Sequence, residues 1–337
     1  MLTDRIPDLA AFWRAATLDI PIVIIGGGRW GRTWASVVAD ARGSGKGITM
    51  AARSDPEAVR AWAATQVNLA GMCIVSNLTE AMESRHPPAV SIVASRPRDH
   101  VRDVLEALRL GMHVLVEKPI SVDAQSGRLL LAAAQEAGRV LAVGTEFAYL
   151  PALHQLAGTI VKRKAGPVRL LLRWEDLAGE FRHGAVKTRH EEVSLLHDLL
   201  PHAFSIFQVF APSNALHVVD ANENPDKNDG WIKFGDDLGG SYELLCDANA
   251  AARRRVLELE SGDIRAVLDF GGNTPSTDIN GWSLPLDPQH AVMSSTLRLE
   301  LGAFLSVTTG AIDATFITSE IANLLALQEE LERDCRP

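Results

Sequence analysis

Cysteine is scarce in this chain of 337 residues: Cys73, Cys246 and Cys335 are far apart and odd in number. That excludes a disulfide-stapled scaffold. With no C-x-x-C pair, the usual zinc spacing is missing too, so no metal site is expected and reduced thiols point to a cytoplasmic protein. Long apolar runs are also absent: none approaches the roughly 18 residues that a membrane span requires. Asp4, Asp8 and Arg14 break up the first twenty residues, so no secretory leader is expected. Basic residues are outnumbered, 33 Lys and Arg against 42 Asp and Glu. The resulting net charge of −9 repels a phosphate backbone and argues against nucleic acid as a partner, although one well-placed arginine can still bind a small anion. There is no internal repeat and no low-complexity linker.

What is present is an ordinary globular composition, 47% hydrophobic and 22% charged, in a chain long enough for two cores. Short apolar runs at Ile22–Ile25, Ile48–Ala51, Met72–Val75, Val90–Ala94, His113–Val116 and Val140–Val143 alternate with amphipathic segments. Val101, Val104, Leu105 and Leu108 show the i, i+3, i+4, i+7 spacing of a helix. Strands alternating with helices predict a parallel sheet covered on both faces. After about Phe147 the rhythm changes. Val168–Trp174, Ser241–Asp247, Arg254–Glu260 and Ile264–Phe270 read as strands, the last two joined by the turn Ser261-Gly262-Asp263. Val193–Phe210 reads as an apolar helix and Thr315–Leu331 as a closing one. The expected fold class is therefore α/β: a Rossmann domain over residues 1–146, then an α+β domain with a mostly antiparallel sheet over 147–337, whose last helix can return to the first domain.

Pro21-Ile22-Val23-Ile24-Ile25-Gly26-Gly27-Gly28-Arg29-Trp30-Gly31 is an apolar strand entering G-x-G-x-x-G. In that pattern Gly26 permits the tight turn, Gly28 lets a pyrophosphate approach the backbone, and Gly31 lets helix and strand pack closely. A helix opening at Arg29-Trp30 offers unpaired N–H groups to the phosphates. The second strand runs into Arg53-Ser54 where an NAD site carries Asp or Glu for the ribose hydroxyls. A guanidinium and a hydroxyl suit a 2′-phosphate instead, so NADP(H) is expected ahead of NAD(H). Asp55, followed by Pro56, reads as a helix cap.

Val114-Leu115-Val116-Glu117-Lys118-Pro119 ends the fifth strand in Glu-Lys-Pro. Ser95-Arg96-Pro97-Arg98-Asp99-His100 follows the fourth strand, and Asp198-Leu199-Leu200-Pro201-His202 has the form D-x-x-x-H. With the glycine loop, this set resembles the Gfo/Idh/MocA oxidoreductases over about residues 20–330. The resemblance implies a Rossmann domain followed by a domain with a large open sheet, often used for homodimer or homotetramer assembly. It also implies that Lys118, Asp198 and His202 stand beside the nicotinamide, with Ser95, Arg96, His100 and Glu117 around the cofactor, and that the Lys118–Pro119 bond is cis. The residues read independently are compatible with this. Lys118 sits at the carboxyl end of a parallel strand, where open α/β sheets bind ligands. Its ammonium can polarise a carbonyl. Asp198 and His202 are i and i+4, so they share a helix face where the carboxylate can orient the imidazole.

The implied activity is hydride transfer between nicotinamide C4 and a carbonyl, imine or secondary alcohol of a small molecule. A cofactor-sensing regulator is the alternative, disfavoured by an intact Lys118, Asp198 and His202. A glycosidase using NAD for transient oxidation is another, disfavoured by Arg53. Three features depart from the family pattern. Arg96 replaces a proline or asparagine. Gly144-Thr145-Glu146-Phe147-Ala148-Tyr149-Leu150-Pro151 lacks the arginine that many relatives carry before the proline. Pro201 is expected to kink the helix or mark a helix start beside His202. The roles of Arg96, Glu146, Tyr149 and Trp174 are open, and His197 reads as structural.

Overall fold

The computed structural model describes residues 8–162, 167–179, 181–182, 185–186, 192–211, 216–272, 274–285, 294–313 and 315–334. Cys335 lies outside them. The chain divides into two compact units, one formed by Asp8–Gly144 with Leu297–Ala322, the other by Thr145–Thr296 with the chain from Asn323 onward.

The first unit opens with α1 (Leu9–Ala15), whose N–H at Ala11 is capped by the Asp8 carboxylate. Then come β1 (Ile22–Ile25), α2 (Arg29–Arg42), β2 (Ile48–Ala51), α3 (Pro56–Ala64), β3 (Cys73–Val75), α4 (Leu78–Met82), β4 (Val90–Val93), α5 (Pro97–Arg109), β5 (His113–Val116), α6 (Ala124–Glu136) and β6 (Leu141–Val143). The six strands form one sheet in the order β3-β2-β1-β4-β5-β6, every pair parallel. The order reverses between β2 and β4 about β1, the arrangement of a dinucleotide-binding sheet. All four residues of β1 are buried, as expected for a strand covered on both faces. Helix starts follow local chemistry: Asp55 accepts from Ala58 N–H at α3, with Pro56 first in the helix, and Asp123 accepts from Ser126 N–H at α6.

In the second unit a 3-10 turn, Glu146–Tyr149, leads into α7 (Pro151–Lys162). β7 (Arg169–Leu177), β8 (Phe181–Arg182), β9 (Ala185–Val186) and α8 (Leu195–Phe207) follow. Then come β10 (His217–Asn224), β11 (Asp229–Gly235), β12 (Ser241–Ala250), β13 (Arg254–Ser261), β14 (Ile264–Asp269), β15 (Ser276–Ile279) and β16 (Trp282–Leu284). Eight of these strands make a sheet in the order β10-β11-β12-β7-β13-β14-β15-β16. Its pairs are antiparallel except β7 with β12. Period-two burial in β7 puts Leu170, Leu172, Trp174 and Asp176 on the covered face. The chain closes with α9 (Ser294–Thr308) and α10 (Thr315–Asp334).

Of the two outcomes expected at Pro201, the helix start is excluded. Helix α8 runs from Leu195 to Phe207 with Pro201 inside it, so Pro201 is no helix start. The start is fixed six residues earlier. The Ser194 side chain accepts from His197 N–H, and the Glu223 carboxylate of β10 accepts from Leu195 N–H at 2.7 Å. Those caps, with a core of buried Leu, Phe and Ile side chains, outweigh the one backbone bond that a proline removes.

Candidate active site

The glycine loop joins β1 to α2. Gly26 has φ +115°, and a side chain there would meet the Ala94 carbonyl oxygen at 2.7 Å. A Cβ on Gly31 would stand 1.8 Å from the Gly26 oxygen, so the first turn of α2 packs directly on the loop. Gly28 is different. It is the N-cap of α2, has no side-chain cap, and a Cβ there would meet nothing within 4 Å. The amide end of a 14-residue helix thus faces open space across a residue that keeps it open. This is a cradle that fits a pyrophosphate, held by N–H groups and the helix dipole. Arg29 and Trp30 form the first turn, with the guanidinium 5.4 Å from the indole centroid.

Beyond β2, the Arg53 guanidinium is forked between two carboxylates of α5. It donates through Nη1 to Asp103 and through Nη2 to Glu106 at 2.6 Å. Ser54 is exposed beside it. The Asp103 side chain is fully buried, and burial pushes its carboxyl up. Hydrogen bonds from Arg102 and Arg53 more than offset this and hold it below the usual carboxylate range. Asp55, spent on capping α3, is an acid engaged elsewhere.

The β4 and β5 loops are tied together by His100. Its Nδ1 lies 2.8 Å from the Pro119 carbonyl and its Nε2 3.2 Å from the Ser95 carbonyl. Arg96 is exposed and caps α5 in extended backbone, with Pro97 as the first helical residue. The Lys118–Pro119 bond is cis, as the family resemblance implies. Behind Lys118, the Glu117 carboxylate is buried and accepts from Trp34 Nε1 at 2.7 Å. Burial pushes the Glu117 carboxyl up, opposed by the Trp34 bond and the Lys118 charge. A Cβ on Gly144 would come within 3.3 Å of the other carboxylate oxygen, so β6 closes on the same group.

Asp198 and His202 lie on α8 in the second unit, and the surroundings of His202 are aromatic. Its imidazole stacks on Trp174 of β7 at 4.8 Å and meets the edge of Phe147 at 5.1 Å. Its Nδ1 is 3.9 Å from Glu146 Oε2, an ion-pair distance too long for a hydrogen bond. Trp174 in turn carries Arg255, with the guanidinium carbon 3.9 Å from the ring centroid. Arg255 is buried, donates to Asp176 and to the Glu175 carbonyl, and stands across from Trp174 in the β7–β13 register. Tyr149 is buried close to this turn. His197, one residue before Asp198, sits against the Ser194 hydroxyl at 2.9 Å, and burial lowers its pKa. The sequence left the roles of Glu146 and Trp174 open, and nothing there singled out Arg255 or Asp176. The one available signal was the alternation in β7 that puts Trp174 and Asp176 on the covered face.

Among the described residues, no group of three or more His, Cys, Asp or Glu could hold a metal ion, and no helix is long and apolar enough to cross a membrane. No curated protein matches the sequence. Solved structures do. KijD10, a 3-ketoreductase from Actinomadura kijaniata in complex with NADP and TDP-benzene, superposes with a TM-score of 0.72 at 17% identity, over 94% of this chain and 97% of that one. GenD2 from gentamicin A biosynthesis, in complex with NAD, has a TM-score of 0.72 at 19% identity over 94% and 93%. UDP-N-acetylglucosamine 3-dehydrogenase GnnA from Acidithiobacillus ferrooxidans has 0.69 at 17% over 94% and 98%. At such identities the likeness speaks for the fold. Residues 20–145 match the model of an oxidoreductase family with an NAD-binding Rossmann fold. The N-terminal domain of this chain belongs to the Gfo/Idh/MocA oxidoreductases.

Proposed function

We propose that this protein is an NADP(H)-dependent oxidoreductase acting on a carbonyl, imine or secondary alcohol of a small, sugar-like or secondary-metabolite substrate. The observation that carries the reading is the open face at Gly28, where helix α2 presents unpaired amides through a gap that any side chain would begin to fill. When bound, the nicotinamide supplies or takes the hydride. The chain's part is charge and proton. In this reading the Lys118 ammonium hydrogen-bonds the reacting oxygen or nitrogen and stabilises the charge that develops there. His202 exchanges the proton, a contribution typically worth ~10²–10⁴-fold in rate. Asp198, one helical turn earlier, orients that imidazole, and Trp174 fixes its plane.

NADP(H) is favoured over NAD(H) by Arg53 and Ser54 standing where an acid would select the ribose hydroxyls. Among the similar structures, a 3-ketoreductase holds NADP and TDP-benzene, and another protein is a UDP-N-acetylglucosamine 3-dehydrogenase. Both support a sugar carbonyl or its alcohol as the reacting group. The same reading has the eight-stranded sheet pair with a second copy of the chain, which light scattering checks. The main experiment titrates NADPH and NADH against tryptophan fluorescence, then follows absorbance at the NADPH band with nucleotide-linked ketosugars. Tighter binding of NADPH and its consumption are expected. Failure of both dinucleotides to bind would overturn the reading.

A further inference from the structure

The fork on Arg53 bears directly on how a 2′-phosphate is recognised. Its two carboxylates are not equivalent. Asp103 is fully buried, whereas the Glu106 side chain is 37% exposed and Arg53 itself 33%. Asp103 and Glu106 are three residues apart on α5, so they meet the guanidinium from one helix face. Nη1 is committed to the buried acid, which also accepts from Arg102 Nε at 2.9 Å. An anion arriving from solvent can compete only for the exposed side, and there Nη2 already carries Glu106 at 2.6 Å.

We propose that Glu106 is a specificity-determining residue: an internal carboxylate that occupies the 2′-phosphate site on Arg53 and must leave before NADP(H) is fully bound. Asp103 is the fixed anchor that keeps the guanidinium in place while its outer edge changes partner. The proposal rests on the reading of Arg53 as the 2′-phosphate ligand and adds a competitor to it. A ligand without the 2′-phosphate has no quarrel with Glu106, so Glu106 moves the ratio of the two cofactors rather than overall affinity. An exposed ion pair of this kind sets the size of the effect at about two- to fivefold.

The test is calorimetric titration with adenosine 2′,5′-bisphosphate and with 5′-AMP, which needs no turnover. Glu106→Gln is expected to bind the bisphosphate about two- to fivefold more tightly with 5′-AMP unchanged, and this gain should vanish in an Arg53→Ala background. Unchanged bisphosphate affinity in Glu106→Gln, an equal gain for both ligands, or a gain that survives without Arg53 would overturn the proposal. Arg53→Ala alone separates the two levels. If it leaves the bisphosphate preference intact, the Arg53 reading fails and the proposal falls with it. If it abolishes the preference while Glu106→Gln changes nothing, only the proposal fails. Should Arg53→Ala not fold, because it strips a partner from buried Asp103, Arg53→Lys keeps a charge there without the fork and is expected to lower the preference.

Discussion

The imidazole of His202 lies on the indole of Trp174, ring centroids 4.8 Å apart and planes 12° from parallel. A helix residue and a strand residue 28 positions apart in sequence thereby fix one another, and the Arg255–Asp176 pair holds the indole in its turn. Trp174→Ala is expected to cost about 3–5 kcal/mol of stability, in line with large core truncations. Trp174→Phe should keep most of the packing yet loosen the ring plane beneath His202. Thermal denaturation beside steady-state kinetics separates these effects. In the Phe variant we expect kcat to fall more than stability does, with cofactor affinity unchanged. Unaltered kcat would remove the platform role.

Lys118→Ala should lower kcat strongly while NADPH affinity stays within a few-fold, because in the proposed mechanism the ammonium acts on the reacting atom and not on the dinucleotide. Rapid-mixing kinetics with a substrate found by absorbance screening checks it. Full activity would contradict the role.

The last two glycines of the loop should separate folding from binding. Gly28→Ala puts a methyl into open space, so the melting temperature should hardly move while dinucleotide affinity falls. Gly31→Ala drives a methyl into the Gly26 oxygen and should destabilise the unit itself. Paired melting and fluorescence titrations read both. A Gly28→Ala variant with undiminished affinity would argue against phosphate at that face.

Glu117 gives a prediction with a definite sign. Its carboxyl is raised above its usual 4.5 by burial, so the folded state holds its proton more firmly than the unfolded one. Stability from this group is complete below pH 4.5 and declines as pH rises through the folded value. Glu117→Gln, which keeps an acceptor for Trp34, should therefore raise the melting temperature at about pH 7–8 relative to the parent and flatten that decline. A lower melting temperature under those conditions would mean that the charge itself is needed.

Three histidines act in the opposite direction. Burial lowers the pKa of His113, His154 and His197 from the usual 6.5. Each is neutral in the fold, so its contribution is complete above pH 6.5 and is lost as pH falls through that value toward the folded one. Melting temperature measured from about pH 8 down to about pH 5 should begin to drop near 6.5, and less so in His154→Phe.

The parallel sheet and its nucleotide loop were legible because their signals are local: an apolar strand, a glycine spacing, and Asp55-Pro56 at a helix start. The mostly antiparallel sheet was legible from strand runs and one turn. What the sequence hid was made by long-range pairing. Arg53 meets Asp103 and Glu106 across 50 residues or more, and no periodicity in β2 announces a partner on α5. Glu146 reaches His202 only because the turn after β6 folds over α8. The helix-start alternative at Pro201 fails for a related reason, since a local propensity argument does not contain the Glu223 carboxylate that caps α8 from another strand.

The first unit is not one stretch of chain, and that has a consequence for how the protein is made. Residues Leu297–Ala322 belong to it, and they seat closely on its opening helix. A Cβ on Gly302 would stand 1.8 Å from the Phe12 oxygen, and Arg298 lies 3.8 Å over the Trp13 ring. A ribosome delivers α1 first and its partner nearly three hundred residues later, so at ~5–20 residues per second the amino-terminal half waits ~15–60 s for its final wall. During that interval the apolar side of α1 stands uncovered, a surface for a chaperone to hold, and a fragment ending at Gly144 would carry that vacancy permanently.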